Sequence, residues 1–284
     1  MNQLRFTKMH GIGNDFILID GVSEPLPPAD FATLSKQLND RKMGIGGDGL
    51  ILVSKGEADH LKMRMFNPDG SEAEMCGNGI RCVAKLARIR KLSDANPIPI
   101  ETGAGLLQLE TLDSGADGSI EAVRVDMGLA GILRKNIPMT GMPEEQATNF
   151  ELSFADQTVR ATAVSMGNPH CVIFVENAEQ VPLEKWGPII ETHALFPNRT
   201  NVHFVQVNSA TELTMRTWER GAGVTLACGT GACGVLVAAF LNGKAERKAK
   251  VHLPGGDLEI EYSENGRVFM TGPAETVFEG VWVG

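Results

Sequence analysis

The chain has 284 residues, 43% of them hydrophobic and 21% charged, a length that allows two domains of ordinary size and a composition that speaks against disorder. Its formal charge of −9 argues against a surface built to neutralise phosphates, so the expected partner is a small molecule and not a nucleic acid. No apolar run reaches the roughly 18 residues of a membrane span and the start lacks an apolar core with a small-residue cleavage site, so a cytoplasmic protein without membrane contact is expected.

In chain order, apolar alternation and β-branched residues predict strands near Phe6–His10, Phe16–Asp20, Leu50–Val53, Leu61–Phe66, Ile98–Glu101, Leu106–Glu110 and Ile120–Val125. After Asp126–Gly128 the pattern restarts, with strands at Ala161–Ser165, Cys171–Val175, Val202–Val207 and Leu213–Thr217. A Pro254–Gly256 turn then joins Val251–Leu253 to Leu258–Tyr262. Helices are expected at Asp30–Asn39, Ile80–Arg90, Leu183–His193 and Ala232–Leu241, the third kinked or shortened by Gly187-Pro188.

The chain also repeats itself. Met63-Arg64-x-Phe66 through Cys76-Gly-Asn-Gly79 aligns with Met215-Arg216-x-Trp218 through Cys228-Gly-Thr-Gly231 at an offset of 152 (228 − 76). A weaker echo links Gly13-Asn14 and Phe16–Asp20 with Gly167-Asn168 and Cys171–Glu176, at an offset near 154 (168 − 14). Two copies of one domain are implied, with the ligand expected between them.

In each copy a strand-like segment runs into Cys-Gly-x-Gly and then a helix, so Cys76 and Cys228 are expected at helix starts. There, unpaired amides and a partial positive charge lower a thiol's pKa and attract a carboxylate. The segment Ala232–Leu241 is apolar on every side, which points to a helix inside a barrel-like sheet. Five cysteines without an export signal argue against a disulfide framework. Cys82, Cys171 and Cys233 have no matched partner in the repeat and read as small buried hydrophobes.

Other chemistries fit less well. The G-x-G-x-x-G matches at Gly44–Gly49 and Gly229–Gly234 lack the strand-to-helix setting of a dinucleotide site. Zinc through Cys76, Cys82, Cys228 and Cys233 fails on ligand spacing, so no metal is expected. A cysteine hydrolase with His170 leaves the second cysteine unexplained. Removing the α-proton of an amino acid without a pyridoxal electron sink needs a base on one face, an acid on the other and dipoles aimed at the carboxylate. Two thiols at two helix starts meet that need without a cofactor, with His170 and Glu219 as candidates to tune them.

These motifs resemble the diaminopimelate epimerases along essentially the whole chain. The resemblance runs through His10-Gly-Ile-Gly-Asn14-Asp-Phe16, Gly44-Ile-Gly-Gly-Asp48-Gly49, Phe66-Asn67-Pro-Asp-Gly70-Ser-Glu72, Met75-Cys76-Gly77-Asn78-Gly79-Ile-Arg81 and Gly167-Asn168-Pro-His170. It continues through Arg199-Thr-Asn201-Val, Trp218-Glu219-Arg220-Gly221 and Ala227-Cys228-Gly229-Thr230-Gly231. It implies an α+β fold of two pseudo-symmetric domains, each a mainly antiparallel barrel-like sheet around a central helix. Residues 1–121 with 273–284 would carry Cys76, and 122–272 would carry Cys228.

The resemblance further implies cofactor-independent conversion of LL- to meso-diaminopimelate by Cys76 and Cys228 with help from His170 and Glu219, in lysine and peptidoglycan precursor synthesis. Gly77, Asn78, Gly229 and Thr230 would bind the reacting α-carboxylate. Asn14, Asn67, Asn168, Asn201, Glu219 and Arg220 would hold the amino groups and distal carboxylate. A homodimer is the family habit. Some relatives have glutamine where this chain has Gly49. Two further readings stay open: a proline racemase-like enzyme, which also pairs cysteines, and a binding protein that does not exchange the α-hydrogen. Two activated thiols serving one carbon are also expected to form a disulfide under oxidation.

Overall fold

The two cysteine motifs each open a helix that a sheet encloses. The computed structural model describes residues 3–26, 28–113 and 119–284. Among them are the α-helices α1 (Phe31–Asn39), α2 (Gly77–Ile89), α3 (Leu183–Glu191) and α4 (Gly229–Leu241). The backbone divides into two compact units, Met1–Val125 with Thr271–Gly284, and Asp126–Met270.

In the first unit, Leu4–Gly11 pairs antiparallel with both Glu275–Trp282 and Asn14–Asp20. Asn14–Asp20 runs parallel to Gly49–Lys55, which pairs antiparallel with Leu61–Phe66. That strand runs parallel to Ile98–Thr102, which pairs antiparallel with Gly105–Asp113, and the Ile120–Val125 part of the strand Ile120–Leu129 follows antiparallel. Helix α2 packs against Leu4–Gly11, Asn14–Asp20 and Gly105–Asp113, strands from both ends of this order, so the sheet curls around it.

The second unit repeats the scheme step for step. Gln157–Ser165 pairs antiparallel with both Phe150–Phe154 and Pro169–Phe174, and Pro169–Phe174 runs parallel to Asn201–Ser209. Next come Glu212–Glu219 antiparallel, Lys248–Leu253 parallel and Gly256–Tyr262 antiparallel. Helix α4 packs against Gln157–Ser165, Pro169–Phe174 and Gly256–Tyr262, and Val235, Leu236, Val237, Ala238 and Ala239 on it are wholly buried. Each buried Val or Leu contributes about 1.5–3 kcal/mol, so the helix is held by its surroundings on all sides. The apolar run Ala232–Leu241 is thus explained by a helix that is buried on all sides as far as Ala239.

The outer helices α1 and α3 fill the parallel crossovers. Asp30 caps α1, its Oδ1 accepting from the Ala32 amide at 3.1 Å. Pro188 stays inside α3, which ends at Glu191, two residues before the expected His193. Gly187 lies against the Trp218 ring: a Cβ there would come within 2.5 Å of Cγ.

Every expected strand is present. The sequence pattern missed Glu72–Ala73, Phe150–Phe154, Gly223–Thr225, Arg267–Gly272 and Glu275–Trp282. The last of these is exposed at most positions, so it has no buried face to alternate with. Helices α2 and α4 begin three residues earlier than expected, because Gly-Asn-Gly and Gly-Thr-Gly are poor helix formers that hide a first turn. Among the described residues no helix is long and apolar enough to cross a membrane.

Candidate active site

Cys76 is the N-cap of α2, in extended conformation with φ −139° and ψ 119°. Its Sγ lies 3.8 Å from Asn14 Oδ1, and Asn78 Nδ2 donates to the same oxygen at 3.1 Å. Asn14 Nδ2 donates to Asp48 Oδ2 at 2.8 Å. Arg81, wholly buried on α2, donates from Nη1 to Gly77 O at 3.0 Å and to Asn78 Oδ1 at 3.2 Å, and from Nε to Pro273 O at 3.1 Å. The first unit therefore gathers Cys76, Gly77, Asn78 and Asn14. Asn67 lies in the turn after Leu61–Phe66, where its Nδ2 donates to Ser71 Oγ at 2.9 Å.

Cys228 occupies the matching N-cap of α4, with φ −128° and ψ 96°, and is buried. Burial pushes its thiol well above the usual range, and the neighbouring Glu219 carboxylate pushes the same way; the Gly231 amide and Thr230 hydroxyl pull it back. The lowering expected of a helix start is not met at Cys228, where burial and the Glu219 carboxylate raise the pKa. Glu219 ends the strand Glu212–Glu219, and burial raises its pKa too, against hydrogen bonds from Thr225 Oγ1, at 2.5 Å, and from Cys228. A thiol beside a carboxylate in a dry site is a proton donor facing a ready acceptor.

Asn168 Nδ2 donates to Thr230 Oγ1 at 3.3 Å, and its Oδ1 lies 2.9 Å from His170 Nε2. His170 Nδ1 lies 2.9 Å from His203 Nε2, and His203 Nδ1 lies 3.0 Å from Thr217 Oγ1. Both rings are wholly buried, and that burial drives both pKa values down, His203 to about 3. Two neutral imidazoles satisfy this row in one way: His170 Nε2–H donates to Asn168, His203 Nε2–H donates to His170, and Thr217 donates to His203. The glycines of α4 make room for the rings. A Cβ on Gly231 would lie 2.5 Å from His203 Cε1 and 2.9 Å from Cys228 Sγ, and one on Gly234 would touch His170.

Asn201 is buried and uses both ends of its amide on backbone, donating to Pro169 O at 2.9 Å and accepting from the Arg220 amide at 3.0 Å. Glu191 braces the same turn, with Oε2 accepting from Trp218 Nε1 at 2.7 Å and Oε1 from the Gly221 amide at 3.1 Å. Arg220 Nη1 donates to Asn198 O at 3.0 Å.

The first Gly-rich match is not a phosphate cradle, and the second opens a helix. The amides of Gly44, Ile45, Gly46 and Gly47 are bonded to carbonyls of Asp40, Leu38 and Asn39 at the end of α1, and Gly229–Gly234 is the first turn and a half of α4. Among the described residues no cluster of three or more potential metal ligands occurs.

Comparison with known proteins fits this geometry. The sequence model of the family described as Diaminopimelate epimerase matches residues 6–133 and 162–277. The diaminopimelate epimerase of Pelotomaculum thermopropionicum is 51% identical over 277 residues, covering 98% of each chain. The chain belongs to the diaminopimelate epimerase family. Among solved structures, a PhzF-family phenazine biosynthesis protein of Bacillus anthracis shares the fold with a TM-score of 0.71 over 100% of both chains at 14% identity. A hydroxyproline epimerase of Agrobacterium vitis does so with a TM-score of 0.67, over 98% of this chain and 92% of its own, at 15% identity.

For a member of the diaminopimelate epimerase family, four neighbours of the site went unassigned in the sequence: Arg81, Asp48, His203 and Glu191. Arg81 carried a readable signal, since a charge on a helix enclosed by a sheet must find buried partners. Asp48 stood in a motif of the resemblance without a role, and His203 and Glu191 carried no signal, because each reaches the site through residues distant in sequence.

Proposed function

We propose that this enzyme epimerises LL-diaminopimelate to meso-diaminopimelate without a cofactor, with Cys76 and Cys228 exchanging the α-proton. The observation that supports this most is the doubled motif: in two topologically equivalent units, a cysteine caps the helix that the sheet encloses. Inversion needs a base on one face of the carbon and an acid on the other, and one thiol from each unit supplies them.

The first-turn amides of α2 and α4, at Gly77, Asn78, Gly229 and Thr230, stabilise the substrate α-carboxylate and the negative charge that develops beside it as the proton leaves. Glu219 takes and returns the Cys228 proton. His170 acts through Asn168, whose amide it orients. Arg220 forks onto the distal carboxylate, and Asn201 sets its backbone. Asn14, Asn67 and Asn168 supply further contacts for a substrate with two amino-acid ends. The same reading places the enzyme in the cytoplasm as a homodimer, in the supply of lysine and peptidoglycan precursors.

The test is α-proton exchange from LL-diaminopimelate in deuterium oxide, without added pyridoxal phosphate, in wild type, Cys76→Ala and Cys228→Ala. Wild type should yield the meso isomer with deuterium at the inverted carbon, and neither variant should epimerise. Normal epimerisation by either variant refutes the two-thiol mechanism. Exchange with proline in place of diaminopimelate would instead favour the racemase reading.

A further inference from the structure

The loop between α1 and Gly49–Lys55 does not hold a phosphate; it holds an amide. Asp48 Oδ2 accepts from Asn14 Nδ2 at 2.8 Å and from the Asp15 amide at 3.1 Å, and its Oδ1 accepts from Arg41 Nη2 at 2.8 Å. Arg41 also binds Asp15, at 2.6 Å, and Lys8 pairs with Asp15 at 2.6 Å. Burial raises the Asp15 pKa, but hydrogen bonds from Arg41 and Lys8 outweigh it and bring the carboxyl down to about 2. Asp15 therefore stays charged throughout the pH range of cysteine chemistry and holds Arg41 beside Asp48.

At the opposite end stands Arg81, donating to Asn78 Oδ1, while Asn78 Nδ2 donates to Asn14 Oδ1. A guanidinium can only donate and a carboxylate can only accept. With Arg81 at one end and Asp48 at the other, the two amides between them fit in one orientation each. Turning Asn78 sets N–H against N–H at Arg81. Turning Asn14 sets oxygen against oxygen at Asp48, and N–H against N–H at Asn78.

We propose that Asp48 and Arg81 are positioning residues that lock the Asn14 carbonyl toward Cys76 and so hold this cysteine protonated in the resting enzyme. An acceptor facing the sulfur, with the N–H side of the amide turned away, favours S–H over S⁻. The charged and titratable groups near this end of α2 include Arg81, Cys82 and Lys85 on the helix, Glu74 two residues before Cys76, Asp48 and Arg41 from the loop side, and Lys8, His10 and Asp15 from the first two strands. Cys82 is wholly buried and pushed up to about 12, so it stays neutral. The catalytic meaning of the lock rests on Cys76 being one of the proton-exchanging pair; the lock itself does not.

Iodoacetamide alkylation of Cys76, followed from about pH 6 to pH 10, reads the lock directly. The tryptic peptide Met65–Arg81 carries Cys76 and no other cysteine, so mass spectrometry isolates it. In Asp48→Asn the partner at 48 can donate or accept, and Asn14 is released. The profile should move to lower pH by about one unit, with about tenfold faster alkylation below the wild-type midpoint. Asn14→Ala should show the same direction, and Asp48→Asn should add nothing in that background. An unmoved profile in folded Asp48→Asn overturns the proposal. If that variant does not fold, an unmoved profile in Asn14→Ala does so. Epimerase activity of Cys76→Ala tests the two-thiol reading separately, since alkylation reports the sulfur whether or not it carries catalysis.

Discussion

The buried histidine row makes the second unit sensitive to acid in a way that can be worked out from His203 alone. Folding keeps His203 neutral down to about pH 3, while the unfolded chain takes up its proton near the ordinary 6.5. Below 6.5 the unfolded state binds more protons than the folded one, so stability falls as pH falls toward 3. Between about pH 7.5 and pH 5 this one ring costs about 2 kcal/mol, at 1.36 kcal/mol per unit below the unfolded midpoint. His203→Gln is the perturbation to make. A glutamine amide can donate to His170 Nδ1 and accept from Thr217 Oγ1, as the ring does, but it does not titrate. The assay is reversible urea unfolding of wild type and His203→Gln at both pH values. The loss of stability on acidification should be smaller in the variant by about 2 kcal/mol. Equal losses in the two proteins would refute the assignment of His203 as a neutral, buried member of the row.

Two more outcomes follow from close contacts in the second unit. Thr225→Val removes the hydroxyl whose hydrogen bond holds the Glu219 pKa down against burial; the acidic limb of the kcat/KM profile should move to higher pH by up to about one unit, and an unmoved limb would take Glu219 out of proton transfer. Gly187→Ala places a Cβ 2.5 Å from Trp218 Cγ, so thermal unfolding should show about 1–3 kcal/mol of lost stability, and a neutral result would mean that α3 is free to move off the ring.

How much of this was legible in the sequence depends on the distance over which each feature is encoded. The enclosed helix α4 was legible because an apolar run with no polar face has one physical explanation, and the register of Cys76 with Cys228 was legible because a duplication copies it. The strand Glu275–Trp282 was not, since it joins the first unit by backbone pairing with Leu4–Gly11 and buries little of its own side-chain surface. The pKa of Cys228 was not legible either. A helix start is local and predicts a lowered value, whereas the burial that overrides it is set by the whole sheet.

The matched asparagines show where a repeat stops predicting chemistry. Asn14 and Asn168 sit at equivalent places in the two copies, one residue type at one topological step. Asp48, an acceptor, takes the N–H side of Asn14 and leaves its carbonyl toward the α2 N-terminus. His170, a donor in the neutral row, takes the carbonyl of Asn168 and leaves its N–H side toward Thr230 on α4. One amide thus offers an acceptor beside its cysteine motif and the other offers a donor, although the sequence spells both Gly-Asn. Asp48 is brought to Asn14 by the fold from 34 residues away, whereas His170 stands two residues from Asn168 in the chain. Inversion needs one sulfur as thiolate while the other is thiol, so with burial and Glu219 raising the Cys228 pKa, Glu219 is the group that must take the Cys228 proton while Cys76 keeps its own.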